Sequence, residues 1–529
     1  MVTVHIPLDS LASDLHQSGD DVESVLKGIG CSIEEGGIEI NPNRPDLFSR
    51  AGLERAVKHY LLRELRDYEA EDARITCFAE ENAVRPVIIC AVVRNVTLDE
   101  TSIKEIIDLQ ELLHLTLGRK RRFAAIGLHD LSAVCPPFYY RDFSGTRRFV
   151  PLGSDIETSI TDILKNSEKG MEYGALLENE RHLYPILEDS NGDVLSMPPV
   201  INGNITALQT RTKDLFIDVT GIDDSTPNTV MNIIVCDLLD RFRGSNAEKV
   251  IVLRNGAEKL YPRLERARMD MSLSAAARML GFSVPYDEAA SALKKMGHKA
   301  TAEGDSIRID IPCYRSDMIH SYDLFEELAI GYGYERIKPE LPRAWTQGRK
   351  ISERTDALRE LFIGMGFIEV ATLNLSSIEE QKTFMSVERE CVEVLNPVSK
   401  ETEIMRFWLI PSLLAILRAN RHNALPQRIF ECGEVCDMER NVEHAACIIE
   451  DSSTDFREIK SVAENVSRAM GRKFDYERKE HPSFIRGRCA AILVEGREIG
   501  FCGEMHPKVL RNFQLESPAC AIELMGGKI

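Results

Sequence analysis

Residues 314–336, YRSDMIHSYDLFEELAIGYGYER, form the stretch around which the rest of the chain is organised. Asp323, Glu326 and Glu327 are spaced i, i+3, i+4 and so share one helix face, and Asp317 precedes that helix. Clustered carboxylates repel one another unless cations lie between them. A hard, oxygen-ligated ion such as magnesium is the natural candidate. The alternative is a solvated acidic face at a helix N-terminus, where the helix dipole favours acids.

The length and composition are those of a multidomain globular protein. With 529 residues the chain is too long for one hydrophobic core, and about three or four domains are expected. Hydrophobic residues make up 43% of the chain and charged residues 28%, and no apolar run approaches the roughly 20 residues that cross a bilayer. The N-terminus carries His5 and Asp9 where a signal peptide needs a basic start and an apolar centre. We therefore expect a cytoplasmic protein without a membrane span.

The 13 cysteines are scattered singly through the chain. The one close pair, Cys432 and Cys436, has neither a matching second pair nor nearby histidines. Reduced thiols packed as small hydrophobic side chains are therefore predicted there, in preference to a zinc site.

The charge is strongly acidic, with a formal net charge of -19. This balance argues against a general nucleic-acid coat, because phosphate contacts need local positive charge. The densest basic run, Arg119–Arg122, is a candidate RNA contact, and its alternative is a solvated loop.

Changes of pattern along the chain predict a multidomain α/β and α+β protein with four domains. In chain order they are an N-terminal α/β domain at 1–80, an α/β domain at 83–265, a small helical, winged-helix-like domain at 268–342 and a domain with a largely antiparallel sheet at 350–529. In the third of these, helices are expected at 269–281 and 287–297.

The α/β domain at 83–265 has polar side chains at its predicted strand ends. The segment KDLFIDVTG brings Asp218 and Thr220 to the end of a strand, and a capped helix begins at 225–227. Polar groups at strand ends that face a helix N-terminus are where such domains commonly hold ligands. The pair His129-Asp130 ends another strand, and a structural hydrogen bond is favoured there over a catalytic dyad.

Six segments together resemble a single family. They are INPNRPDLFSRAGLERA, EKGMEYGALLENERHLYPILEDSNGDVLSMPPVING, LFIDVTG, YRSDMIHSYDLFEELAIGYGYERI, LNPVSKETEIMRFWLIPSLL with PQRIFECGEV, and HPSFIRGRCAAILVEGREIGFCGEMHP. In this order they are similar to the β subunits of phenylalanine–tRNA ligase of the archaeal/eukaryotic type. The resemblance covers nearly the whole chain.

This resemblance implies an assembly of two α and two β chains. The α chain would carry the active site that joins phenylalanine to tRNA(Phe) with ATP. The module at 350–529 would be a non-catalytic, class-II-synthetase-like copy that packs against it. In agreement, motif-two-like Arg428–Glu431 is present, but no glycine-rich, arginine-bearing ATP segment follows near the C-terminus.

The resemblance also implies that the domain at 83–265 is an editing domain, which hydrolyses tyrosine misattached to tRNA(Phe). An apolar pocket rejects an added hydroxyl only about a hundredfold, so a second site is needed to remove the error. By matching motifs, the editing-pocket positions are Leu187, Ser196, Asp218 and Thr220. Two positions depart from the family pattern: Ile222 replaces a threonine, and Gly203 stands where serine is common.

The opening stretch matches the family's magnesium site. The four matching positions are Asp317, Asp323, Glu326 and Glu327. In the family this ion is counted as shared with the α subunit, so the resemblance implies a structural ion tied to packing against a partner chain.

Two readings of other classes compete with the ligase subunit. A free-standing hydrolase of mischarged tRNA is disfavoured by the retained synthetase-like module at 350–529. A DNA-binding scaffold built on the winged-helix-like domain is disfavoured because the recognisable motif of that domain is acidic.

Overall fold

The structure is a computed structural model that describes residues 2–82, 84–303, 306–341, 346–348 and 353–525. The chain forms two compact units, Met1–Leu341 and Pro342–Ile529. The predicted domain limits at 342 and 350 lie outside the described residues. Within those residues, no helix is both long and apolar enough to cross a membrane.

The first unit begins with a small antiparallel sheet of strand order β1-β3-β2 and three helices. These elements are β1 (Val2–Val4), α1 (Leu8–Leu15), α2 (Gly19–Gly28), β2 (Ser32–Glu34), β3 (Gly37–Ile40) and α3 (Arg50–Leu62). Between β3 and α3, Pro45 opens a 3-10 turn over Pro45–Leu47. Ser49 then caps α3 by accepting a hydrogen bond from the backbone N–H of Gly52.

A ten-stranded mixed sheet forms the centre of the first unit, with the order β12-β11-β10-β7-β4-β14-β5-β13-β6 and with β15 paired to β14. Its elements are β4 (Ala70–Ala79), β5 (Val87–Arg94), α4 (Glu100–Leu115), β6 (Ala124–Asp130), β7 (Phe138–Ser144), β8 (Arg148–Phe149), β9 (Thr158–Ser159), α5 (Ile160–Asn166), α6 (Glu168–Tyr173), β10 (Leu183–Glu188), β11 (Val194–Met197), β12 (Ile201–Asn202), β13 (Leu215–Gly221), α7 (Ser225–Arg241), β14 (Asn246–Arg254) and β15 (Ala257–Tyr261), where β8 and β9 pair separately. Strand β4 pairs in parallel with β14 and β7, so this sheet begins before residue 83.

The strand that carries Asp218 lies deep in this sheet. Strand β13 pairs antiparallel with β5 on one side and with β6 on the other, and every residue of β13 is buried. Helix α7 packs on β5 and β13. The apolar run of β5 is the composition expected of a strand covered on both faces. Strands β10 and β11 pair antiparallel and form a hairpin.

The third predicted domain carries a sheet as well as helices. Its elements are β16 (Ala267–Ser272), α8 (Leu273–Leu280), α9 (Tyr286–Lys295), β17 (Lys299–Glu303), β18 (Ser306–Ile311) and α10 (Ser321–Tyr332), with the antiparallel order β16-β18-β17. The prediction of one helix over 269–281 is wrong in its first turn. Met269 and Met271 lie two residues apart on β16, and both face the core. The helix begins only at Leu273, after the N-cap residue Ser272. This third domain is therefore α+β rather than purely helical.

The second unit is built on a seven-stranded sheet of order β19-β22-β23-β27-β26-β25-β24, which is antiparallel except between β19 and β22. Its elements are α11 (Glu353–Gly364), β19 (Ile368–Glu369), β20 (Leu375–Ser376), β21 (Ile404–Met405), α12 (Ile410–Ala419), β22 (Gln427–Cys436), β23 (Asn441–Glu450), α13 (Phe456–Ala469), β24 (Asp475–Arg478), β25 (Phe484–Val494), β26 (Arg497–Met505), α14 (Pro507–Asn512) and β27 (Ala519–Met525). Helices α12 and α14 share one core with the sheet, and α11 and α13 share another. The predicted α+β domain with a largely antiparallel sheet is confirmed.

Candidate functional site

A cavity of about 400 Å³ lies within the ten-stranded sheet region of the first unit. Its walls come from one face of α4, from β6 and β13, and from the segment that runs from the end of β11 to residue 208. Strands β6 and β11 lie far apart in sheet order, and the segment after β12 brings them to one cavity. Most of the wall is apolar, and its aliphatic side chains include Ile103, Ile107, Ile126, Leu128, Val200 and Leu208.

The polar part of the cavity is built on Asp218. Its Oδ2 lies 2.8 Å from Nε2 of His129, and Nδ1 of the same imidazole lies 2.8 Å from Oγ1 of Thr206. The side chains of His129 and Asp218 are 0% and 1% exposed. A Cβ at Gly127 would lie 1.9 Å from Asp218 Oδ2, so this position admits no side chain while the carboxylate stays in place. The side chains of Thr206, His129 and Asp218 therefore form a buried hydrogen-bonded chain with a fixed geometry.

Ser196 supplies a second polar group to the cavity wall. Its side chain on β11 is buried, and its Oγ has no hydrogen-bond partner. Leaving a buried hydroxyl unpaired costs about 1–3 kcal/mol, and native proteins rarely tolerate it without a reason. A ligand that enters the cavity would provide the missing partner.

The remaining predicted pocket residues lie outside the cavity lining. Leu187 is fully buried in the hydrophobic core, where it pairs with Ser196 across the hairpin. Thr220 accepts a hydrogen bond from Nε of Arg85 at 3.1 Å and is enclosed by the fold. Of the two positions that depart from the family pattern, Ile222 is 41% exposed and does not line the cavity, whereas Gly203 does.

The backbone explains why glycine occupies position 203. A Cβ there would lie 2.1 Å from the carbonyl oxygen of Val194, far inside contact distance. The N–H of Gly203 also donates to the carbonyl of Leu195 at 2.7 Å, so the chain cannot move away without losing this hydrogen bond. In this protein the cavity wall at 203 is therefore made of backbone atoms.

The hydrogen-bond partner of His129 is not apparent from the sequence. The predicted hydrogen bond between His129 and Asp130 is wrong, because consecutive strand residues point to opposite faces of the sheet. Asp130 instead accepts hydrogen bonds from Ser132 and Thr212. No signal in the sequence joined His129 to Asp218, which lies 89 residues away.

One end of the cavity carries a histidine and a carboxylate from α4. Nε2 of His114 accepts a hydrogen bond from the backbone N–H of Ile126 at 2.8 Å, and Nδ1 faces Glu111 at 3.2 Å. Burial lowers the pKa of His114. The hydrogen bond from His114 holds the pKa of Glu111 at about 2, with help from the charge of Arg121. This end therefore presents a neutral imidazole and a carboxylate at neutral pH.

The basic run Arg119–Arg122 divides into two kinds of residue. Arg121 is buried, and its guanidinium donates to the carbonyls of Pro199 at 3.2 Å and Val200 at 3.1 Å. It therefore holds the cavity loop in place. The side chains of Arg119, Lys120 and Arg122 are exposed beside it.

The four predicted magnesium ligands line a second cavity, of about 290 Å³. Arg315 lies against two of them, with Nη2 2.7 Å from Asp317 Oδ2 and 2.7 Å from Glu327 Oε1. Burial tends to raise the pKa of Glu327, but the charge of Arg315 outweighs it and holds the pKa well below its usual range. Arg315 is thus the counter-ion of two of the four carboxylates.

The other two predicted ligands have separate environments. Oδ2 of Asp323 accepts hydrogen bonds from the backbone N–H groups of Ile319 at 2.7 Å and His320 at 2.6 Å, which caps α10. Glu326 is exposed. In the described part of the chain, no three Asp, Glu, His or Cys side chains are grouped closely enough to hold an ion. These residues as placed do not fit a resident magnesium ion, because the guanidinium of Arg315 already contacts both carboxylates of the buried pair.

The motif-two-like residues of the second unit take part in structural ion pairs. Arg428 on β22 pairs with Glu458 on α13. Glu431 is buried and accepts from Nη1 of Arg406 at 2.8 Å, and Arg406 is itself 2% exposed. Both motif residues are thus satisfied within the unit.

Two regions of the chain match family models. Residues 269–334 match the model described as tRNA synthetase B5 domain. Residues 337–525 match the model described as Phenylalanyl tRNA synthetase beta chain CLM domain. Together with the fold, these matches define the class as tRNA synthetase subunits.

Curated relatives extend the match over nearly the whole chain. The phenylalanine–tRNA ligase beta subunit of Methanococcus maripaludis (strain DSM 14266) is 40% identical, covering 92% of this chain and 90% of the relative. The beta subunit of Methanocaldococcus jannaschii is 38% identical, covering 98% and 97%. A crystallised N-terminal fragment of the phenylalanyl-tRNA synthetase beta subunit from Pyrococcus horikoshii has a TM-score of 0.58 at 32% identity, covering 61% of this chain and 97% of the fragment. The chain belongs to the family of phenylalanine–tRNA ligase beta subunits.

Proposed function

We propose that this chain acts as the β subunit of a phenylalanine–tRNA ligase, which attaches phenylalanine to tRNA(Phe) with ATP. The carrying observation is family membership at 38–40% identity, which extends over both compact units. The aminoacylation site would lie on an α subunit. Support comes from Arg428 and Glu431, whose polar groups are tied into structural ion pairs.

The complex would contain two α and two β chains and act in the cytoplasm. Support for a reducing compartment comes from the 13 cysteines, all of which are free thiols. Purifying the chain with and without a co-expressed α subunit, and measuring mass and phenylalanine charging, tests this assembly. A chain that deacylates tRNA fully by itself would favour the free-standing hydrolase, and one that binds duplex DNA would favour the scaffold.

The cavity of about 400 Å³ is the site where the chain would hydrolyse mischarged Tyr-tRNA(Phe). The observation that supports this is the buried, unpaired hydroxyl of Ser196 in the same wall as the carboxylate of Asp218. An apolar cavity alone could not distinguish tyrosine from phenylalanine by more than about a hundredfold, whereas one with buried polar groups can. A tyrosine hydroxyl is a group that would satisfy such a site.

The geometry indicates how the cavity residues would divide the work of ester hydrolysis. The aliphatic walls would bind the aromatic ring, Ser196 would pair with the tyrosine hydroxyl, and Asp218 would be the carboxylate within reach of the ester. His129 faces Asp218 at 2.8 Å and would hold the carboxylate in one orientation. Thr206 in turn fixes the imidazole through its Nδ1. Proton transfer by a positioned carboxylate contributes about 100-fold or more to such a rate.

Replacing Asp218 by alanine in the complex tests the editing proposal. Deacylation of Tyr-tRNA(Phe) should fall about 100-fold or more while phenylalanine charging is unchanged. The matched control is Asp214→Ala, since Asp214 lies just before the same strand and pairs with Arg94 outside the cavity. Deacylation equal to that of the control would remove Asp218 from the site.

Magnesium at Asp317, Asp323, Glu326 and Glu327 stays a prediction. The shared cavity supports it, whereas the ion pairs of Arg315 count against an ion held by this chain alone. Metal analysis of the dialysed chain and of the dialysed complex separates the cases. Magnesium retained only by the complex would mean that the partner reorganises these carboxylates, and magnesium in neither would leave Asp317 and Glu327 paired with Arg315 and without a resident ion.

A further inference from the structure

Helix α7 and the turn after β18 bring two cysteine thiols together. Cys236 on α7 is fully buried, and Cys313, two residues beyond β18, is half-buried. Their sulfur atoms are 3.6 Å apart, which is a hydrogen-bond distance for thiols. One helical turn before Cys236, Nδ2 of Asn232 donates to the backbone carbonyl of Cys313 at 3.4 Å. Two contacts from one face of α7 therefore fix the position of Cys313.

Only one of these two thiols faces a cavity. Cys313 lines an opening of about 340 Å³, together with Arg66 and Arg266, while Cys236 lies behind it and does not line the opening. A small solute would therefore meet Cys313 first. The second sulfur lies directly beneath the first, where no solvent separates them.

The electrostatic surroundings make Cys313 the nucleophile of the pair. The hydrogen bond from Cys236 lowers the pKa of the Cys313 thiol, and the charges of Arg55 and Arg266 act in the same direction against the opposing effect of burial. Burial raises the pKa of Cys236. A thiolate, and not a thiol, is the species that attacks an oxidant.

We propose that Cys236 and Cys313 form a reversible disulfide when the protein meets hydrogen peroxide. The Cys313 thiolate attacks one peroxide oxygen, the O–O bond breaks, and the hydroxide that leaves takes up a proton to become water. Cys313 is then a sulfenic acid. Cys236 loses its proton and attacks the sulfur of Cys313; the S–O bond breaks, a second water leaves, and the S–S bond forms. Two thiols and one peroxide thus give one disulfide and two waters.

A second cysteine pair in the same unit provides an internal comparison. Cys77 and Cys90 are also hydrogen-bonded to each other, but both are 0% exposed and neither lines a described cavity. Burial raises the pKa of Cys90 well above its usual value. This pair lines none of the described cavities and the pKa of its Cys90 is raised, so it should remain reduced in the folded protein.

The disulfide would tether the central sheet to the small α+β unit. Cys236 and Cys313 are 77 residues apart in sequence, so the bond closes a long loop and restricts the unfolded chain. Oxidation should therefore raise the thermal unfolding midpoint of the first unit. The disulfide needs both sulfur atoms, so replacing either Cys236 or Cys313 should abolish this rise in the unfolding midpoint.

The test is a thiol map of the full-length chain after treatment with hydrogen peroxide. Free thiols are alkylated in denaturant, and peptides are identified by mass spectrometry with and without dithiothreitol. We expect a linked peptide pair that contains Cys236 and Cys313, lighter by two hydrogen atoms than its parts and cleaved by dithiothreitol. Free Cys313 should disappear at least about tenfold faster than free Cys77.

Three variants make the test decisive. Cys236→Ser should leave Cys313 as a sulfenic acid that dimedone traps, and Cys313→Ser, at a half-buried site that tolerates the change better, should leave Cys236 reduced. Cys135→Ser is the matched control, because Cys135 is an exposed thiol that should not affect the link. The proposal is overturned if Cys313 stays as reduced as Cys77 while Cys135 is oxidised, or if Cys313 is oxidised without joining Cys236.

Discussion

Replacing Arg315 by methionine should strongly destabilise the first unit. The Arg315 side chain is 1% exposed and lies 2.7 Å from each of two carboxylates, Asp317 and Glu327, which are 8% and 4% exposed. Methionine keeps most of the length and removes the charge. Glu327 then keeps only Nε2 of His298, at 2.9 Å, and Asp317 keeps only the more distant Nε of Arg44, at 4.0 Å. Breaking a buried pair in this way costs about 3–5 kcal/mol. The unfolding constant should therefore rise by about a factor of 1000, since each 1.4 kcal/mol is tenfold.

The assay is urea unfolding of the full-length protein, followed by circular dichroism. Arg308→Met is the matched control in the same small unit, because Arg308 is 44% exposed and pairs with Asp270 and Glu303 at the surface. Exposed pairs of this kind contribute about 1 kcal/mol or less. The two variants thus differ in the burial of the lost charge and not in its chemistry.

The reasoning is refuted if the free energy of unfolding of Arg315→Met lies within about 1 kcal/mol of that of Arg308→Met, because the carboxylate cluster would then be solvated. Magnesium provides a further check. Added magnesium should stabilise Arg315→Met more than the unchanged protein, because only the variant lacks the guanidinium that contacts both Asp317 and Glu327. Equal stabilisation of both would mean that Arg315 is not the resident counter-ion.

Two further predictions concern Gly127 and two buried histidines. Gly127→Ala should abolish most Tyr-tRNA(Phe) deacylation and leave phenylalanine charging unchanged, because its Cβ would lie 1.9 Å from Asp218 Oδ2; normal deacylation would show that Asp218 can move freely. Burial lowers the pKa of His59 to about 3 and that of His481 to about 4. The unfolded chain therefore binds more protons below pH ~6.5, and the free energy of unfolding should fall as the pH drops from there to about 4, by up to about 1.4 kcal/mol per pH unit for each histidine. A urea midpoint that does not change between these pH values would contradict this.

Short-range patterns account for the parts of the fold that the sequence predicted correctly. The apolar segment KDLFIDVTG predicted a strand and the start of a helix at 225–227, and β13 and α7 lie at these positions. The helix prediction at 269–281 was wrong at its start, because Met269 and Met271 are two residues apart, a spacing that shares a face on a strand and not on a helix. Pairing with β18, which is a tertiary contact, holds these residues in a strand.

The sequence by itself determined the family and the identity of the polar residues, because both depend on local motifs that are read along the chain. Only the tertiary structure decided how those residues are grouped. It placed Asp218 with His129 and Thr220 with Arg85, since side chains two apart on β13 share a face but have different neighbours. It also placed Arg315 among the carboxylates of the opening stretch, so that an acidic motif which indicated a metal ion has a guanidinium as its partner. The strength of a charge–charge interaction depends on distance and burial, and neither is fixed until the chain has folded.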